Sequence, residues 1–126
     1  MKNSLRIELG LLILRISSSV MLLTHGIPKF QKLIAGGEIE FGDPIGIGAA
    51  PSLFLAVIGE LVCPILIIIG YKTRFAAIPS AITMGVAAFI VHAADPFGTK
   101  EKALLFLTCF VVIIFLGPGK FSIDRK

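Results

Sequence analysis

Charged side chains are scarce in this sequence: they make up 16% of its residues against 56% hydrophobic ones, and the mean hydropathy is +0.94. An ordinary soluble domain carries about 25% charged residues, so that class is excluded. A chain of 126 residues amounts to one domain and cannot bury so much apolar surface against itself, whereas lipid accepts it. Cysteine is equally sparse. Cys63 and Cys109 stand alone in apolar runs, without a C-x-x-C partner, which argues against thiol–disulfide chemistry and leaves them as packing residues. The two histidines, His25 and His92, have no diagnostic spacing to each other or to Glu60 and Glu101, which argues against a metal site or haem. No A-x-A-like site follows the first apolar segment, and Arg15 interrupts it. A cleaved signal peptide is therefore not expected.

What is present is four apolar runs, at about Leu5–Gly26, Ala50–Ile69, Phe75–Val91 and Ala103–Leu116, the last reaching back to Glu101 when its first turn is counted. Each approaches the roughly 20 residues of a bilayer span, and backbone inside lipid must satisfy its own hydrogen bonds. The expected fold is all-α: one domain over 1–126, a bundle of four transmembrane helices at 5–26, 50–69, 75–91 and 101–116. Lys29 to Ala35 would continue past Pro28 as a short interfacial helix. The net charge of +4 is uneven. The side holding both termini and the 70–74 turn has seven basic residues against two acidic; the other has four against five. By the positive-inside rule both termini face the cytoplasm, and the basic excess reports topology instead of nucleic-acid binding.

The first helix carries a polar seam. Arg15, Ser18, Leu22, His25 and Lys29 fall within about 80° of arc at helical spacing. Counting residues along each span puts Arg15 and Glu60 both near the midplane, where a lone charge costs several kcal/mol, so the two are expected to pair. Such a pair either fixes which helix faces which or underlies a ligand or proton path. In the third span Ala77, Ala81, Gly85, Ala88 and His92 form a small-residue stripe suited to close packing. Thr99 could cap the last helix, with Glu101 in its first turn or turned inward. Assembly of the bundle then gathers His25, Lys29, His92 and Glu101 at the outer surface above Arg15 and Glu60. These six are the candidates for ligand binding or proton relay. A quinone-like amphiphile, with its polar head in the funnel and its body between helices, fits best.

The chain resembles the DoxX family of small four-helix membrane proteins. The features that carry the likeness are Arg15 in the first span, the run His25-Gly26-Ile27-Pro28-Lys29-Phe30, Glu60 in the second span, Gly70 to Arg74, His92, and the closing Gly117-Pro118-Gly119-Lys120-Phe121-Ser122-Ile123-Asp124. The family is named for a subunit associated with a membrane thiosulfate:quinone oxidoreductase. The resemblance implies a multi-pass protein of a bacterial-type inner membrane, in contact with lipid and with a membrane or periplasmic protein partner, serving as a small subunit of a quinone-linked redox complex. Two other classes stay open: a non-catalytic scaffold or assembly factor, and a proton-coupled permeation unit that would need a homo-oligomer.

Overall fold

The computed structural model describes residues 2–39 and 41–124 of the chain. Glu40, Arg125 and Lys126, which contribute to the charge asymmetry, lie outside the described residues. Among those described there is no strand. The helices are α1 (Asn3–Ile34), α2 (Ala49–Ile69), α3 (Thr73–Val91) and α4 (Phe97–Leu116). The first three are long and apolar enough to cross a membrane. In α4 the apolar run is preceded by Lys100, Glu101 and Lys102, which lie within its first two turns.

α1 is one helix straight past Gly26 and through Pro28 to Ile34. Its 32 residues make it about 48 Å long, well beyond a hydrocarbon core of about 30 Å. Its buried side is Arg15, Ser18, Ser19, Leu22 and Gly26, while Ile7, Ile13, Val20, Met21 and Ile27 face outward. A soluble helix would show the opposite pattern; here lipid covers the outer apolar face and the small and polar residues meet the neighbouring helices.

Two glycines set the closest approaches. A Cβ on Gly26 would collide with the Glu60 carbonyl oxygen, and one on Gly59 with Thr83 Oγ1. Gly85, expected to allow a close contact, has nothing within 4 Å of such an atom. Ala77, Ala81 and Ala88 of the same stripe are buried as expected, in a core with Leu22, Ile67, Met84, Phe110 and Ile113. α2 and α3 each contain a π-helical turn, at Ile58–Val62 and Ala87–Val91. The extra residue in such a turn rotates the side chains beyond it relative to a regular helix.

Both termini of the described chain lie at the end that holds the α2–α3 turn. Gly70 closes α2 in a left-handed conformation (φ 74°), and Asp124 caps α3 from 51 residues away, accepting from the Thr73 backbone N–H at 2.9 Å and the Thr73 hydroxyl at 3.0 Å. Thr99, by contrast, does not cap α4. The helix starts two residues earlier, after Pro96, and no side-chain cap is present. Proline fixes an extended entry at that point, so the helix needs no hydroxyl to begin.

Candidate functional site

Arg15 and Glu60 do not pair. The Arg15 guanidinium, 2% exposed, donates to the carbonyls of Pro118 at 2.6 Å, Phe121 at 2.7 Å and Ile68 at 3.3 Å. Ile68 is eight residues beyond Glu60, about 12 Å along α2. Helical side chains lean toward their own N-terminus, and the N-terminus of α1 is at the tail end. Arg15 therefore reaches that end, and a depth counted from Cα positions misplaces its charge. Its role is to grip the tail, where Glu8 also accepts from the Lys120 backbone N–H.

The same lean brings Lys29 down to Glu60. Lys29 Nζ lies 2.6 Å and 2.7 Å from the two carboxylate oxygens, with Glu60 2% exposed. The π-helical turn of α2 carries Glu60, and Gly26, one turn before Lys29, lets the α1 backbone rest against the Glu60 carbonyl. An unpaired buried carboxylate would be strongly disfavoured, and this contact removes most of that penalty.

Around the pair the helices leave a cavity of about 180 Å³ lined by His25, Lys29, Glu60, Met84, His92, Thr99, Lys102 and Phe106, among others. Four sequence candidates, His25, Lys29, Glu60 and His92, thus share one void. Arg15 is at the other end, and Glu101 is exposed and does not line it. His92 follows the π-helical turn of α3 and its Nδ1 lies 2.8 Å from Asp95 Oδ2, leaving Nε2 available. His25 meets Phe106 edge to face, with ring centroids 6.0 Å apart. A second void of about 270 Å³ shares Lys29, Glu60 and His92 with the first and is also lined by Phe41, Pro44 and Ile45. Lys102, Thr99 and Phe106 were not legible as site residues. Only the helical offset of Lys102, Phe106 and Cys109, spaced four and three apart on one face of α4, pointed to them. Among the described residues no three His, Cys, Asp or Glu side chains form a group that could hold a metal ion. Cys63 and Cys109 are free thiols.

These features define an integral membrane protein with a polar pocket walled by an ion pair at one end of its helices. The DoxX family profile matches residues 10–93, and the chain belongs to the DoxX family. It is similar to an uncharacterized protein of Haemophilus influenzae, 33% identical over 123 residues that cover 90% of this chain and 87% of that one. It is also similar to a Bacillus subtilis protein named "Putative oxidoreductase CatD", 30% identical over 118 residues with 93% and 86% covered. An uncharacterized membrane protein of Mycobacterium tuberculosis is 33% identical over 130 residues, with 90% and 78% covered. No solved structure matches the chain. The matched span takes in Arg15, His25, Lys29, Glu60 and His92, while Lys102 and the tail lie beyond it.

Proposed function

We propose that this DoxX-family protein is a small subunit of a quinone-linked membrane redox complex, that it binds the quinone head in the cavity beside Lys29 and Glu60, and that α4 is a fourth membrane crossing. Both termini then lie on the cytoplasmic face of the inner membrane and the cavity opens outward, in keeping with the excess of basic residues at the tail end. The observation that carries the reading is the meeting of His25, Lys29, Glu60 and His92 in one void of about 180 Å³ against Phe106.

A quinone offers two carbonyl acceptors on a flat ring. Ammonium and imidazole N–H groups suit the first, and an aromatic face suits the second. Reduction to the quinol takes up two electrons and two protons per molecule. The electrons would come from a partner redox protein, and the imidazoles of His25 and His92 would pass protons to the bound head. Glu60 holds Lys29 in place and sets the charge of the wall. The name of the Bacillus relative supports the reading.

Glu60→Gln tests it. The substitution keeps the shape and removes the charge, so the protein should still insert while quinone reduction by membranes carrying it is lost; persistence of that activity with the variant inserted rules the reading out. Mass spectrometry of small molecules co-purified from native membranes gives a second test. A stable protein partner with no bound small molecule would point to a scaffold instead.

A further inference from the structure

His25 and Lys102, both in the cavity lining, have no side-chain hydrogen bond among the described residues. His25 makes only its edge contact with Phe106, and Lys102 joins no ion pair. Both line the cavity that Lys29 and Glu60 also line. Since Glu60 is engaged on both oxygens by Lys29, the cavity lining holds no other carboxylate to pair with Lys102. His25, Lys102 and Phe106 also line a third void, a groove of about 360 Å³ between α1 and α4.

That groove is apolar along its length. Its hydroxyls are already used: Ser17, Ser18 and Thr24 donate to carbonyls of their own helix, at Ile13, Leu14 and Met21. What can bind a polar group is therefore concentrated at its His25–Lys102 end. Its rim residues Met21 and Leu105 are 57% and 63% exposed, on the surface that lipid covers, so the groove opens sideways into the bilayer. It is one helix–helix seam wide, which suits a single chain.

We propose that the α1–α4 groove takes a single-chained amphiphile with an anionic head from the bilayer, seating the carboxylate or phosphate between His25 and Lys102 and the chain along Met21, Leu105 and Cys109. An anionic head supplies the missing countercharge and accepts charge-assisted hydrogen bonds from both side chains. A neutral head would offer Lys102 no countercharge. The proposal rests on the reading that this end of the protein binds a small molecule, and adds the charge of that ligand and its route.

The test uses the full chain purified in nanodiscs of neutral lipid. A fluorescent polyene fatty acid should bind at least about tenfold more tightly than its methyl ester, roughly the contribution of one charge-assisted hydrogen bond. Lys102→Gln should erase most of that preference, and Lys102→Arg should keep it. Equal binding of acid and ester, or a preference that survives Lys102→Gln, overturns the proposal. Oleate and lysophosphatidate compete as unlabelled ligands; the stronger competitor names the head, and failure of both to displace the probe also overturns it. A short-chain neutral quinone is measured in the same discs. If the quinone binds in a Glu60-dependent way and the acid shows no preference, only the anionic ligand is ruled out. If neither probe binds, the cavity reading falls with it.

Discussion

Arg15 places a guanidinium inside a bundle whose other buried residues are mostly apolar or small. Leaving it buried and unpaired would cost several kcal/mol, and hydrogen bonds to a charged group contribute about 1.5–3 kcal/mol each. Three carbonyls from two parts of the chain are enough to offset that cost. Arg15→Ala would strand those carbonyls and is expected to lower stability by about 2–5 kcal/mol, read as a drop in the thermal midpoint of the purified protein. Arg15→Lys should restore little, because an ammonium lacks the planar fork that reaches several acceptors at once. Gly26 is the second sensitive position. A Cβ there would collide with backbone, not with a movable side chain, so Gly26→Ala must push α1 away from α2 and separate Lys29 from Glu60. The expected result is a loss of at least about 2 kcal/mol, the upper part of the range for overpacking, with the Glu60-dependent activity lost as well. A variant as stable and active as the parent would show that the helices do not touch there.

At the scale of elements, the tail 117–124 acts as a clasp. Gly117 and Gly119 adopt positive φ (both 80°), which turns the chain back under Arg15 and Glu8. The Ile123 and Asp124 N–H groups then donate to Ile69 and Gly70 at 3.2 and 2.8 Å. Asp124→Ala removes the cap of α3 and should cost about 1 kcal/mol, measurable as faster amide exchange at Lys72 and Thr73. The loop before α2 is held in a similar way at the opposite end. Asp43 accepts from the backbone of Gly48 at 2.9 Å and Ile47 at 2.8 Å, and from the Ser52 hydroxyl at 3.0 Å. The Gly48 N–H above all holds the Asp43 carboxyl below its ordinary range, against a smaller opposing effect of burial. Its folded-state pKa is depressed, so its stabilisation is complete above the ordinary carboxylate value and is lost as pH falls through the lower folded value. Exchange protection at Ile47 and Gly48 should therefore persist at pH values where a free aspartate is already half protonated, and collapse only below them. In Asp43→Asn it should be weak at every pH. The π-helical turns at 58–62 and 87–91 were not legible in the sequence. Nothing in a local apolar pattern distinguishes one inserted residue from a regular turn, because its benefit comes from where it aims Glu60 and His92.

For the whole molecule, the orientation in the membrane is testable directly. A fluorescent protein fused after Lys126 should fold and emit, and alkaline phosphatase inserted in the 34–49 loop should be active, if the tail end is cytoplasmic. The reverse pattern would place the cavity inside the cell and remove the outward-facing reading. The hydrophobic periodicity, the charge distribution and the Gly-Pro punctuation by themselves determined the all-helical class, the three helices long and apolar enough to cross a membrane, and the boundaries of α2 and α3 to within two residues. They could do so because lipid leaves a backbone few options, and each crossing must satisfy itself locally. They gathered His25, Lys29, His92 and Glu101 at one end above Arg15 and Glu60, whereas the cavity takes in His25, Lys29, Glu60 and His92 and leaves out Glu101 and Arg15. Tertiary structure alone decided the partners. Arg15 and Glu60 looked matched in depth, yet the lean of α1 side chains sent Arg15 to the tail and delivered Lys29 to Glu60 across the gap that Gly26 leaves. Such pairings depend on side-chain direction and on the separation of two backbones, quantities that arise only when helices distant in sequence are packed together.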